Sequence, residues 1–302
     1  MKKCVVPENW HLNSDSSYDV DGNVQLSKRY VSGGKLRVRF RKVTGDFNCD
    51  GMNLRTLLGC PSEVDGTFSC CGNKLATLEG GPKIVGKDYI CNESQLSSLV
   101  GAPKMVPGDF ICESNLLRLL TGAPTRVAGN FSCHHNDIFT LEGGPKTVGR
   151  DYICSFNRLT DLNGAPKVIP GDFYCNSNRL ASLNGGPKRV KGEFNCENNK
   201  LLYFDGVVGM TKLRIFNNPL KDFHGKYLSQ LMNGCETWDR LKLHELGGLK
   251  QLFNGIRRIN WKDFHGSIQK YINWLPENIH IEHINLNSKQ QKELHAIQIS
   301  RI

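Results

Sequence analysis

The chemistry-bearing residues of this chain recur on a fixed spacing. Cys49, Cys70, Cys91, Cys112, Cys133, Cys154, Cys175 and Cys196 each stand 21 residues from the next. Three residues before them runs a second series: Asp46, Thr67, Asp88, Asp109, Asn130, Asp151, Asp172 and Glu193, six of them acidic. One histidine pair, His134 and His135, follows Cys133. A cysteine ladder could form disulfides, hold zinc or supply a thiolate nucleophile. Stacked strands hold equivalent side chains about 4.8 Å apart and parallel, which suits a disulfide poorly. No CxxC pair occurs, so no structural zinc site is expected. His280, His283 and His295 have only loose metal spacing, with no cysteine pair beside them. Evenly spaced carboxylates open to water are not a general acid and base pair. No GxGxxG, Walker loop, HExxH or GxSxG motif is present. The expectation is therefore no catalytic residue, no cofactor and no metal. The cysteines are expected to be free, buried and structural, serving as small apolar side chains.

These residues need elements to place them, and the repeat supplies them. Six before each cysteine stands Val43, Val64, Val85, Val106, Val127, Val148, Ile169 or Val190. Two before stands Phe47, Phe68, Tyr89, Phe110, Phe131, Tyr152, Phe173 or Phe194. Five after comes a leucine or isoleucine, from Leu54 through Ile138 to Leu201. A period near 20 residues identifies a solenoid. One short strand per repeat is expected, centred on the aromatic-x-Cys triplet and stacked in parallel. Alternation along a strand then turns the aromatic and cysteine inward and their neighbours onto the concave face. One before the cysteine, that face reads Asn48, Ser69, Ile90, Ile111, Ser132, Ile153, Tyr174 and Asn195. An apolar stripe thus lies beside the carboxylate row, and contiguous apolar patches mark binding sites. The candidate partner-binding residues are Asp88, Ile90, Asp109, Ile111, Asp151, Ile153, Asp172 and Tyr174, with Glu113, His134, His135 and Phe156 at the flank. Lys83, Lys104, Lys146, Lys167 and Lys188 follow the repeat prolines and are expected on another side.

The stretch 106–120, VPGDFICESNLLRLL, resembles the leucine-rich repeat, with Phe and Cys in its central apolar pair. The tails Gly101-Ala102-Pro103 and Gly143-Gly144-Pro145 resemble the short proline-containing subclass, found in effectors of enteric pathogens and in proteins of tailed phages. The phrase GAPK-x-V-x-GDF-x-C is most similar to the phage members. The resemblance covers roughly residues 20–223. It implies an α/β-type solenoid: a parallel sheet on the concave face and a mostly extended or turn-like convex side. It also implies that Asn73, Asn115, Asn136, Asn157, Asn178 and Asn199 bond backbone groups at the turn after the strand. Some effectors of this class carry a helical ubiquitin-ligase domain with a catalytic cysteine. Cys235, in NGCETWDR, lacks that family's short Cys-x-Asp motif and sits in a much shorter region, so a structural cysteine is expected there.

The ends differ from the middle. Residues 1–42 read as a lead-in and an atypical capping repeat, in which stretch 35–42 alternates Leu36, Val38 and Phe40 with Lys35, Arg37 and Arg39. Residues 43–206 give eight regular repeats. Residues 207–223 give a degenerate last one, with Ile215 in the cysteine place. Counting Leu26 through Ile215 predicts ten strands and a sheet roughly 45 Å long. Residues 224–302 are expected to form a small basic helical cap, because an uncapped solenoid end exposes core. Helical spacing occurs at 226–233, 245–258, 262–275 and 288–298. The net charge of +10 divides unequally: +5 for residues 1–43, −1 for 44–206 and +6 for 207–302. No apolar run matches a membrane helix. Met1-Lys2-Lys3-Cys4 has no apolar stretch behind it, so a cytoplasmic protein is expected. The expected role is a non-enzymatic protein-binding module whose partner presents a basic and apolar surface. The alternative is a nucleic-acid or polyanion binder using the basic ends.

Overall fold

The computed structural model describes residues 9–202 together with 212–215, 217–219, 223–224, 258–260 and 280–282. Two rows of very short parallel strands build the repeat region. The front row has ten strands in sequence order, from Val24–Gln25 through Phe47–Asn48, Tyr89–Ile90, Phe131–Ser132 and Phe173–Tyr174 to Lys212–Arg214. Ten strands are what the sequence count gives. The pairing holds one register throughout, Tyr89 to Phe110 to Phe131 to Tyr152.

The second row was not expected. Each repeat carries a further two-residue strand ahead of the front one, such as Glu63–Val64, Ile84–Val85, Met105–Val106 and Arg126–Val127. These pair in parallel in three separate groups, with breaks between Ile84–Val85 and Met105–Val106 and between Thr147–Val148 and Val168–Ile169. The reason is the valine column. Val64, Val106 and Val127 point into the core, at most 1% exposed, and fixing one buried residue per coil aligns the adjacent backbone for the ladder.

Among the described residues the only helix is a single 3-10 turn, Lys28–Tyr30. The architecture is a parallel β-solenoid, so the helical component of the expected α/β type is absent from the described coils. Proline and glycine in each return segment explain this, since one removes a donor and the other weakens helix. The expected helices at 226–233, 262–275 and 288–298 lie outside the described residues, as does 245–258 apart from Arg258. That residue begins a strand, and Phe223–His224, Arg258–Asn260 and His280–Glu282 pair in parallel.

The core is a set of columns rather than a ball. Phe47, Phe68, Phe110, Phe131, Phe173 and Phe194 have no exposed surface, nor do the eight ladder cysteines. Successive aromatic rings lie 4.9–6.0 Å apart, from Phe47 to Phe194. Each buried ring contributes about 1.5–3 kcal/mol relative to an exposed one, available only because a neighbouring coil covers it.

The cysteines have a further use. The Cys49 thiol donates to the Ser69 carbonyl at 3.3 Å, and Cys112 and Cys154 do the same to Ser132 and Tyr174. All ten described cysteines are free. Burial pushes the thiols of Cys70, Cys91, Cys112 and Cys154 well above their ordinary range.

Residues 9–20 form a cap and not an extended lead-in. Trp10–Leu12 and Ser17–Val20 make an antiparallel hairpin, and the second strand joins Arg39–Val43 in parallel. Trp10 closes the aromatic column, with its ring 4.8 Å from Phe40 and 5.2 Å from Tyr30. As expected, Phe40 is buried, Leu36 and Val38 half-buried, and Lys35, Arg37 and Arg39 exposed.

Candidate binding face on the front strands

The turn after each front strand is held by its asparagine. Asn73 Oδ1 accepts the Leu54 N–H at 2.9 Å, while Nδ2 donates to the Cys49 and Cys70 carbonyls at 2.9 Å. Asn115, Asn136, Asn157, Asn178 and Asn199 repeat these bonds. Ser94 stands in the same place, and its hydroxyl donates to the Cys70 carbonyl at 2.8 Å. These side chains satisfy buried backbone groups that would otherwise be orphaned. They are structural.

The carboxylate column turns out to be half structural as well. Asp88 Oδ1 accepts the Asp109 N–H at 2.8 Å, Asp109 Oδ1 accepts the Asn130 N–H at 2.7 Å, and Asp151 Oδ1 accepts the Asp172 N–H at 2.8 Å. Asp172 Oδ1 accepts the Glu193 N–H at 2.6 Å. Each carboxylate therefore caps the next coil with one oxygen. The second oxygen binds side chains where one is near: Asp109 Oδ2 takes Asn130 Nδ2 at 3.1 Å, and Asp172 Oδ2 takes the Tyr174 hydroxyl at 2.8 Å. Among the described residues, no lysine or arginine pairs with Asp88, Asp109, Asp151 or Asp172. The face keeps its negative charge.

Ile90, Ile111, Ile153 and Tyr174 do lie in one row, as strand register requires: Ile90 faces Ile111, and Ile153 faces Tyr174. Ser132 interrupts them. All four are half-buried, so the stripe is flatter than four fully exposed residues would make it. Burial and the neighbouring Asp172 carboxylate raise the Tyr174 hydroxyl well above its usual range, so it donates and stays neutral.

The flank is more protruding. Glu113 and His134 meet at 2.8 Å. His135 stacks on Phe156 with centroids 4.5 Å apart and planes 9° from parallel. Phe156 is 48% exposed. Both His135 and Phe156 have left-handed backbone, φ 51° and 54°. The equivalent residues in the first two coils are Gly51 and Gly72, which adopt it without strain. The repeat turn imposes this backbone in every coil, on Glu93, Ser114, Ser177 and Asn198 as well, and a bulky residue such as Phe156 bears strain there. The structure gives the twelve sequence-predicted residues different work. The aspartates hold the coil, the isoleucines and Tyr174 form one strand row, and Phe156 stacks on His135 in the turns that follow the strands.

The sequence reading missed a second surface on the other strand row. Ile84, Met105 and Val168 are 59%, 57% and 48% exposed. Between Ile84 and Met105 lies a groove that also takes in Val100, Pro103, Lys83 and Lys104. Lys83, Lys104, Lys146, Lys167 and Lys188 are all exposed, the first two beside this groove and the others in later coils. The signal was present two residues after each repeat proline, where Ile84, Met105 and Val168 alternate irregularly with Arg126, Thr147 and Arg189.

Among the described residues, no group of three His, Cys, Asp or Glu could hold a metal, and no helix is long and apolar enough to cross a membrane. Cys235 and His295 lie outside the described residues. No protein-family model, curated protein or solved structure matches this chain.

Proposed function

We propose that this chain is a non-enzymatic protein-binding solenoid of the leucine-rich-repeat type, working in the cytoplasm and using the front strand face. One observation carries the reading: the row Ile90, Ile111, Ile153 and Tyr174 lies against Asp88, Asp109, Asp151 and Asp172, which pair with no lysine or arginine among the described residues, with Phe156 exposed at a strained backbone nearby. Apolar anchors supply most of the affinity in such interfaces, and the charge governs association rate and partner choice. The partner presents a basic rim around an apolar centre. The resemblance to tailed-phage repeat proteins makes a host or defence protein the target class.

The alternative was a nucleic-acid or polyanion binder through the basic ends. At the N-terminal end three of its cations are engaged, Arg41 with Asp19, Lys42 with Glu63 and Asp65, and Arg39 with Asp15, which leaves Lys35 and Arg37 as the exposed cations of stretch 35–42 with no ion pair among the described residues. That observation favours the protein-binding reading. The test is affinity capture from bacterial lysate, comparing the wild-type chain with Ile111→Asp and Phe156→Ala. Proteins held by the first and lost from both variants support the proposal. An identical capture profile for all three overturns it.

A further inference from the structure

The partner chemistry deduced for the front face also occurs on this chain itself. The second strand row carries Lys83, Lys104, Lys146, Lys167 and Lys188, one per coil with a single gap at Thr125. Among the described residues, none of these lysines forms an ion pair. Between them stand the exposed Ile84, Met105 and Val168, with Val100 forming the groove beside the first two. This is a column of lysines beside an apolar patch at Ile84, Val100 and Met105, with Val168 as a second apolar point beyond Arg126 and Thr147.

The two faces match in period as well as in sign. The front strands pair coil to coil without a register shift, and so do the second-row strands from Lys42 to Val85 and from Met105 to Val148. Carboxylates and lysines therefore advance by the same rise per coil. When one copy lies along another, alignment of one Asp–Lys rung aligns the rest. An unrelated basic protein has no reason to share that spacing. The repeat region is near neutral overall, with 16 Lys/Arg against 17 Asp/Glu over residues 44–206, so the net repulsion between two copies of this +10 chain comes from its ends and not from the two docking faces.

We infer that the front face of one copy docks on the second-row face of another, so that the chain self-associates. The inference rests on the binding-face reading above and names a second copy as an occupant of that face. Because the two surfaces are different patches of one chain, the contact is heterologous. It generates rings or open assemblies larger than a dimer. Charge pairs that are exposed to solvent are screened by salt, so assembly weakens as ionic strength rises.

The test uses the full chain. Sedimentation velocity is run over a concentration series at about 0.05 M and about 0.5 M salt, which shortens the screening length several-fold. The expected result is an average mass that climbs past the dimer at low salt and falls toward the monomer at high salt. Met105→Asp disables the second-row face and Ile111→Asp the front face, with circular dichroism confirming that both fold. Each variant alone is expected to be monomeric. Mixed, they are expected to form a dimer and stop, because each retains one competent surface. A wild-type chain that stays monomeric at low salt overturns the inference, as does a mixture that fails to combine. Assembly that appears only on adding inorganic polyphosphate also overturns it, and assigns the lysines to a polyanion.

A labelled peptide of alternating lysine and isoleucine separates this inference from the reading beneath it. If the peptide binds wild type and not Ile111→Asp while the chain stays monomeric, the front face is a binding face and the second copy is not its occupant. If neither peptide nor copy binds, both fall.

Discussion

Asp109 and Gly129 are linked across neighbouring coils: a Cβ on Gly129 would stand 2.1 Å from Asp109 Oδ1. The same oxygen accepts the Asn130 N–H at 2.7 Å. Gly66, Gly108, Gly171 and Gly192 face Asp46, Asp88, Asp151 and Asp172 in the same way, at 2.0–2.2 Å. The Gly-Asp-Phe phrase of the repeat is thus written by two coils at once. The aspartate of one coil dictates the glycine of the next. The exceptions obey the rule. Thr67 is followed by Lys87 and Asn130 by Arg150, and there the glycine moves back one place to Gly86 and Gly149, under the carbonyls of Asp65 and Ala128. Gly129→Ala is expected to cost about 2 kcal/mol or more, as a Cβ forced onto a neighbouring coil does. Asp109→Ala leaves one N–H without its acceptor and is expected to cost about 1 kcal/mol. Urea unfolding measures both. Equal, negligible effects would remove the coupling.

A second coupling joins Tyr89 to Gly81. The Tyr89 hydroxyl is buried without a hydrogen-bond partner, and a Cβ on Gly81 would lie 2.8 Å from it. Tyr152 and Gly144 repeat the arrangement at 3.1 Å. Where the ring is Phe110, Phe131 or Phe173, the glycine place holds Ala102, Ala123 or Ala165, whereas Phe194 keeps Gly186 and Phe68 has Cys60. Tyr89→Phe is expected to stabilise the chain by about 1 kcal/mol, since it removes an unsatisfied buried group. Gly81→Ala alone destabilises, and the double change recovers most of that loss. A thermodynamic cycle with no coupling energy would refute the pairing.

The cysteine ladder sets an alkaline limit. Burial raises the folded-state thiols, whereas an unfolded chain loses these protons near pH 8.5. Above that pH the unfolded state binds fewer protons than the folded one, so stability falls as pH rises. Below it the contribution is complete and flat. Each buried thiol adds a slope of about 1.4 kcal/mol per pH unit, so several acting together give a steep transition. Thiolate absorbance is expected to appear together with the loss of the β-sheet signal. Native labelling of Cys112 is expected to be slow. Thiolate forming in a folded chain would contradict the account.

Much of this was legible from residues alone. Ten front strands, inward aromatics and cysteines, and the asparagine turn follow from a 21-residue period whose positions differ in burial. The second strand row was not legible, because its two-residue strands stand between a Gly-Pro tail and a tight bend and show no alternation. The N-terminal hairpin escaped for another reason: Trp10, Tyr18, Tyr30 and Phe40 form one cluster but share no spacing. Among the site residues, the position of Asp109 was legible and its work was not. A carboxylate facing solvent and one capping a neighbouring backbone look the same in a sequence.

Phe156 is where stability and function are expected to part. Its left-handed backbone is strained, and glycine relieves such strain. Phe156→Gly is expected to leave thermal stability unchanged or slightly raised while weakening partner binding at least tenfold, about 1.4 kcal/mol. A loss of stability with binding intact would assign the ring to packing on His135 alone.

The last prediction separates charge from architecture on the front face. Replacing Asp109 and Asp151 by lysine would remove backbone caps along with charge, so loss of binding would be ambiguous. Asparagine is the informative change, because the chain already uses it: Asn130 Oδ1 caps the Asp151 N–H at 3.0 Å. Asp109→Asn with Asp151→Asn is therefore expected to fold normally. Rim charge acts chiefly on encounter rate, so association should slow about tenfold at low salt and lose much of its salt dependence, with little change in dissociation. Arg37→Glu with Arg39→Glu lies on the N-terminal cap, where Arg39 already faces Asp15 at 3.9 Å, and should leave both rates alone. Surface plasmon resonance on the captured partner reads both constants. If the arginine pair abolishes binding while the asparagine pair is silent, the front face is not the interface, and a steep fall of affinity with salt at the basic end would identify a polyanion ligand in its place.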